Sequence, residues 1–347
     1  MTDRTPHVRI DVEVLDANIT AMQSFCDNRG IALRPHVKTH KSLVIARRQL
    51  DAGAHGLTVA TLGEAEVFAA VAREYGVSIL VAYPALVDAD RLRALTQRVD
   101  VIVGADSEHS FDAIAGSGAA ISIEIDTGLR RSGVAVDRLD ALVRAAHARD
   151  IPVEGVFSFP GHGYSAGSGA ADAARDEAVA SAAARDVLHA GGVTDPVLSG
   201  GCTPTAAHTD ATVVTELRPG VYALMDAQQR ALGVARDEDL ALTVRSSVVS
   251  TAVRGSYVLD AGAKLLGLDS PAYVEGHGWI PSRPGDVVAR LWEHHAVVTP
   301  VPGSPLPSVG DRIDVVPNHV CATVNLVDEL HTSDGGVWPV DARGRNT

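Results

Sequence analysis

Gly56-Leu-Thr-Val-Ala-Thr-Leu-Gly-Glu-Ala-Glu-Val-Phe-Ala-Ala-Val-Ala-Arg-Glu-Tyr-Gly-Val-Ser-Ile-Leu-Val-Ala82 reads as strand, helix, strand. Its ends, Gly56–Ala60 and Ser78–Ala82, are short apolar runs of the kind that form parallel strands buried on both faces. Leu62–Tyr75 between them looks helical, and Gly76 marks its end. The same alternation extends outward from about residue 31 to residue 217. Further strands are expected at Ala32–Val37, Val99–Val103, Ala120–Ile125, Val153–Phe157, Pro196–Ser199 and Val213–Leu217. Helices are expected at Leu86–Arg98, Val136–Asp150 and the alanine-rich Ala170–Ala190, with Ser107 and Asp137 at N-cap positions. Eight such units imply an α/β fold with a parallel (β/α)8 barrel. A doubly wound sheet is the alternative, but no strand leads into a Gly-x-Gly-x-x-Gly turn.

After about residue 235 the helical spacers disappear and Pro and Gly become frequent. Strands are expected at Leu240–Val253, Ser256–Leu259, Asp286–Trp292, Ala296–Val298, Arg312–Val316 and Ala322–Leu326, which make an all-β domain. Val8–Val14 reads as one more strand, ahead of the barrel and available to that domain. The expected organisation is a barrel over residues 15–235 and a β domain from residues 1–14 plus 236–347.

The formal charge is −13 over 347 residues. Such a chain lacks the basic face that nucleic acid or an anionic membrane requires. No apolar run reaches the roughly 18 residues of a membrane span, and the N-terminus has no signal-peptide core. Three cysteines, Cys26, Cys202 and Cys321, do not make a disulfide framework. The expectation is a cytoplasmic protein acting on a small molecule.

Several segments carry chemistry. Arg34-Pro-His-Val-Lys-Thr-His-Lys41 sits at the C-terminal end of the first barrel strand, where barrel active sites are built. Desolvation and the neighbours His36, His40 and Lys41 would lower the pKa of Lys38, as a lysine that condenses with a carbonyl needs. Glu124-Ile-Asp-Thr-Gly-Leu-Arg-Arg-Ser-Gly-Val134 and Phe157-Ser-Phe-Pro-Gly-His-Gly-Tyr164 also follow strands. In Ser199-Gly-Gly-Cys-Thr-Pro-Thr205 the small residues allow close backbone approach to a phosphate, and Thr203 adds a hydroxyl. Glu216-Leu-Arg-Pro-Gly-Val-Tyr222 closes the barrel. In Pro317-Asn-His-Val-Cys-Ala-Thr-Val-Asn325, His319 and Cys321 are two apart, so an extended backbone would point both to one face as an imidazole and thiolate pair suited to zinc.

In this order along the chain, from residue 34 to residue 326, these segments resemble the D-serine dehydratase / D-threonine aldolase group. Its fold is similar to the alanine racemase type (fold type III) of pyridoxal-phosphate enzyme, a barrel followed by a β domain. The resemblance implies pyridoxal 5'-phosphate carried on Lys38. Arg131 would stand near the cofactor's phenolic oxygen and Tyr164 against the cofactor. Gly201, Cys202 and Thr203 would seat its phosphate, with the Tyr222 hydroxyl nearby; Cys202 would serve through its backbone rather than as a nucleophile. His162 would be an acid/base group or orient a metal-bound hydroxyl. His319 and Cys321 would hold Zn2+ or Mn2+. Phe157 departs from the group's usual Tyr, and Glu275-Gly-His-Gly278 from its Glu-Glu-His-Gly; His277 is expected first as a loop histidine and second as a residue lining the site. Asp260 and Lys264 would pair to pack the domains. The implied protein is a homodimeric lyase on D-β-hydroxy-amino acids. Elimination from D-serine or 3-hydroxyaspartate is the first expectation, because an aldolase more often resembles His-x-Asp at the metal pair. Retro-aldol cleavage comes second. A racemase, a non-catalytic cofactor carrier and a structural zinc protein remain as rivals.

Overall fold

The structure, a computed structural model, describes residues 4–84 and 86–347. The chain divides into two compact units. One takes residues through Ile19, Thr39–Ser42 and Val221–Arg343, and the other Thr20–Lys38, Leu43–Gly220 and Gly344–Thr347.

The second of these is the barrel. After β1 (His7–Ile10) of the other unit, its strands are β2 (Ala32–Leu33), β3 (Gly56–Val59), β4 (Ser78–Val81), β5 (Val101–Ala105), β6 (Ala120–Glu124), β7 (Val153–Phe157), β8 (Val197–Gly200) and β9 (Glu216–Leu217). All pair in parallel in the order β2-β9-β8-β7-β6-β5-β4-β3. Thr58 N donating to Pro35 O at 2.9 Å and His55 N donating to Leu33 O at 2.7 Å bring the first and last strands together. Every expected barrel strand overlaps an observed one, because fully buried runs such as Leu57 and Val59 have no solvent face to disguise them. Helix Leu62–Tyr75 starts where Thr61 Oγ1 accepts from Glu64 N and Glu64 Oε2 accepts from Ala60 N, and it stops at Gly76 in the left-handed conformation.

The barrel interior is polar toward its N-terminal end. Arg34, 2% exposed, donates from Nε to Glu216 Oε2 at 2.6 Å and from Nη1 to Ser78 O at 3.1 Å. It fits because position 56 is glycine: a Cβ there would stand 2.2 Å from Arg34 Nη1. Removing one partner of a buried pair leaves the other charge unpaired. Arg34→Met is therefore expected to cost about 3–5 kcal/mol of unfolding free energy in urea. A loss below about 1 kcal/mol would show that Glu216 finds compensation elsewhere.

The other unit is built on a mixed sheet. β1 lies between antiparallel β10 (Leu242–Ser250), in register His7 with Arg245, and parallel β15 (Glu329–Thr332). The sheet continues from β10 through β11 (Tyr257–Leu259) and β13 (Ala296–Thr299) to β12 (Val287–Leu291); β14 (Arg312–Val315) pairs with β10, and β16 (Val337–Pro339) with β15.

Two expected strands are otherwise. The strand at 8–14 stops at Ile10, and Val12–Asp27 is a helix that buries Leu15, Ile19 and Cys26. The valines at 12 and 14 mimic a strand, but the spacing of buried residues over the following turns is helical. Ala322–Leu326 lies in the helix Val320–Asn325 and its C-cap; an apolar run this short does not distinguish helix from strand. Asp260 does not serve as the expected ion-pair partner of Lys264. It accepts from Ser247 N at 2.8 Å and Thr5 Oγ1 at 2.6 Å, inside its own unit.

Candidate active site

In the barrel unit, parallel strands place their C-terminal ends on one rim, and the segments singled out in the sequence follow those ends. Lys38 is in the 3-10 turn Val37–Thr39 after β2, and its Nζ lies 5.9 Å from the centroid of the Phe159 ring. Two residues earlier, His36 keeps a buried Nδ1 with no hydrogen-bond partner. Burial, then the charges of Lys38 and Arg218, hold His36 well below the ordinary imidazole range. His36 is therefore neutral at neutral pH and is not the cation expected beside Lys38. Lys41 belongs to the other unit, where its Nζ donates to Asn325 Oδ1 at 2.8 Å.

Arg131 follows β6 and stacks its guanidinium 4.9 Å from the Phe159 ring centroid. Its nearest carboxylate is Glu124, at 3.7 Å. Burial pushes the Glu124 pKa up, and its Oε2 has no partner. After β7 comes the turn Gly161–Gly163, with Tyr164 tilted against Phe159 at 6.3 Å between ring centroids. His162 Nε2 stands 3.4 Å from Asp176 Oδ2, without the alignment of a hydrogen bond.

After β8 the backbone turns sharply at Gly201, φ 73°, where a Cβ would stand 2.2 Å from Leu217 Cδ2. Cys202 N donates to Thr205 Oγ1 at 2.9 Å, and Thr205 N donates back to Cys202 O at 3.1 Å. Thr203 is buried in this turn. Burial pushes the Cys202 thiol up to about 12, so it is not a thiolate nucleophile. Arg218, after β9, is a residue the sequence reading quoted but gave no role. It is buried, donates from Nη1 to Ser199 Oγ at 2.5 Å and from Nη2 to Ser158 O, and leaves Nε unpartnered. An arginine immediately after the last barrel strand was the available signal.

In the other unit, Tyr222 is buried in the 3-10 turn Val221–Ala223. His319 has extended backbone, φ −138° and ψ 107°, and is the N-cap of helix Val320–Asn325, so Cys321 is already helical. The pair forms by this strand-to-helix step instead of by an extended segment. Cys321 Sγ lies 3.3 Å from Thr39 Oγ1. Gln228 Nε2 approaches His319 Nδ1 at 3.3 Å, and Tyr273 Oη donates to Gln228 Oε1 at 2.8 Å. Burial alone would lower the His319 pKa; the Cys321 charge and hydrogen bond, with Asp226 and Asp269, outweigh it and bring the group to about 9. Among the described residues no cluster of three His, Cys, Asp or Glu side chains is arranged to hold an ion. His277 has a buried, unpartnered Nδ1 in the same unit.

Residues 10–228 match the alanine racemase N-terminal domain, and residues 241–333 match a putative serine dehydratase domain. The chain is 34% identical over 350 residues to D-threo-3-hydroxyaspartate dehydratase of Delftia sp., covering 93% of this chain and 92% of that one. It is 33% identical over 360 residues to D-threonine aldolase of Arthrobacter sp., covering 98% and 93%. The solved structure of the Delftia dehydratase superposes with a TM-score of 0.87, covering 97% of each chain at 33% identity. An alanine racemase from Corynebacterium glutamicum, at 19% identity and TM-score 0.64, shares the fold over 92% of this chain and 96% of that one. No helix among the described residues is long and apolar enough to cross a membrane.

Proposed function

Because the chain belongs to the family that joins an alanine racemase N-terminal domain to a serine dehydratase domain, we infer that it is a pyridoxal-phosphate-dependent lyase acting on D-β-hydroxy-amino acids. The observation that carries this reading is Lys38 at the C-terminal rim of the barrel, one turn past β2 and beside a neutral His36. The residues present suit the cofactor. Buried polar atoms without partners, His36 Nδ1 and Arg218 Nε, belong to the same unit as Lys38, as does the buried Thr203 in the turn after β8. The donor set of the His319 and Cys321 pair suits a borderline-soft divalent ion such as zinc, with manganese as the alternative. A D-threo-3-hydroxyaspartate dehydratase variant bearing a cysteine-to-alanine change has been described in a metal-free form.

Bound to the chain, the cofactor supplies an electron sink for charge developing at the substrate Cα, and a divalent ion supplies a Lewis acid. Lys38 Nζ would hold the cofactor and would be the base that takes the α-proton. Arg131 would keep a positive charge near the cofactor's phenolic oxygen. Gly201, Cys202 and Thr203, with Tyr222, would seat the phosphate, Tyr164 would pack against the ring, and His162 would exchange a proton at the substrate hydroxyl. Elimination to a 2-oxo acid and ammonia is the leading reaction, on D-serine or 3-hydroxyaspartate. Retro-aldol cleavage to glycine and an aldehyde is the second reading, favoured by the Arthrobacter relative. The enzyme is a homodimer of the cytoplasm.

Product analysis on zinc- or manganese-loaded protein offered D-serine, D-threonine and 3-hydroxyaspartate decides between them. A 2-oxo acid and ammonia, lost on chelation with EDTA, is the expected result. Glycine plus an aldehyde moves the assignment to the second reading. No metal-dependent turnover would leave a racemase or a cofactor carrier.

A further inference from the structure

The buried face of helix Gly169–Ala190 is mostly small: Ala173, Ala174, Ser181 and Ala184. Glu177 breaks this pattern. It is 1% exposed, and a carboxylate so enclosed is tolerated only with partners. Its Oε1 accepts from Ser158 Oγ at 2.5 Å, and Gly201 N lies 3.0 Å from both of its oxygens. Glycine at 200 makes the room, since a Cβ there would stand 2.6 Å from Glu177 Cδ. Ser158 N donates to Ser199 O at 3.0 Å, while Arg218 donates to Ser158 O and to Ser199 Oγ. One carboxylate thus pins the C-terminal ends of β7 and β8 together, and Arg218 ties both to β9. The Gly201 peptide, which sets the direction of the Cys202-Thr203 backbone, is fixed by a side chain of the helix that follows β7.

We propose that Glu177 is a positioning residue for cofactor binding: it holds the Gly200–Thr205 turn in the shape that receives the phosphate, without touching the cofactor. This rests on the reading of the chain as a pyridoxal-phosphate enzyme. A core residue that merely fills space would weaken binding of the whole cofactor or none of it. A residue that shapes the phosphate seat affects only ligands that carry the phosphate. The measurement is the dissociation constant of pyridoxal phosphate and of pyridoxal, which lacks the phosphate, for wild-type protein, Glu177→Gln and Glu177→Ala. Glu177→Ala is expected to weaken pyridoxal phosphate about tenfold and leave pyridoxal within about twofold, the loss of charge-assisted hydrogen bonds. Glu177→Gln, whose amide can still accept from Gly201 N and meet Ser158 Oγ, recovers most of the preference. The 31P resonance of bound cofactor shifts in Glu177→Ala and stays near the wild-type position in Glu177→Gln. If Glu177→Ala does not fold, Glu177→Asp serves instead, its shorter side chain failing to span to Gly201. Equal weakening of both ligands, or an unchanged preference, overturns the proposal alone. Wild-type protein that binds neither ligand overturns the parent reading and this one with it.

Discussion

Lys38→Ala is expected to lose the cofactor's visible absorption, to release the cofactor on gel filtration, and to reduce turnover by roughly 10^2–10^4-fold or more. Two lysines compete for this role in Arg34–Lys41, and the structure separates them. Lys38 lies in the 3-10 turn after a barrel strand, in the unit that holds Arg131, Tyr164 and the Gly201 turn. Lys41 is buried, has φ 50°, and commits its Nζ to Asn325. Lys41→Met should therefore keep the absorption. Borohydride reduction of the holoenzyme followed by peptide mapping should place the label on Lys38. A label on Lys41, or a Lys38→Ala protein that keeps its colour through gel filtration, would refute the assignment. Arg131→Ala is the graded counterpart. Its guanidinium is half-exposed, so its removal should weaken activity without discharging the cofactor.

The parts of this protein that were legible in the sequence are those whose physics is local or enclosed. Barrel strands are apolar throughout, and each is followed by a short segment of Gly, Pro, Thr or charged residues, so both the strand and the functional turn after it can be read. The helix Val12–Asp27 was not legible because its first turn carries two β-branched residues, and the rest shows only a loose buried stripe. Glu177 was hidden by composition. A single glutamate in an alanine-rich helix looks like a solvated face, and only the positions of Gly200, Gly201 and Ser158 reveal that it is buried. Long-range partners of this kind, 19 to 24 residues away along the chain, leave no periodic trace. The His319 and Cys321 pair is the intermediate case. The proximity of the two side chains was legible from their spacing, whereas the conformation was not, since a step into a helix also brings them together.

His319→Ala and Cys321→Ala are each expected to abolish stoichiometric zinc in the purified protein and, with it, EDTA-sensitive turnover. On the proposed reading, two protein ligands would leave open coordination positions, as a catalytic ion requires and a structural zinc does not, and losing either would remove half of what the chain contributes. The surroundings are already arranged for positive charge: Asp226 and Asp269 both act on His319, and Asp226 is itself buried, accepting from Val320 N at 3.2 Å. Gln228 makes a finer test. It contacts His319 Nδ1 and is itself held by Tyr273 Oη, so it restrains the position of the ring while standing outside the His-Cys pair. Gln228→Ala should lower zinc affinity about 10–100-fold while leaving the protein folded and still coloured by its cofactor. Metal analysis after dialysis against graded chelator separates the cases. Full zinc content in either His319→Ala or Cys321→Ala would place the ion elsewhere. Zinc lost from both variants with turnover intact would leave the ion a bystander and make the lyase chemistry independent of it.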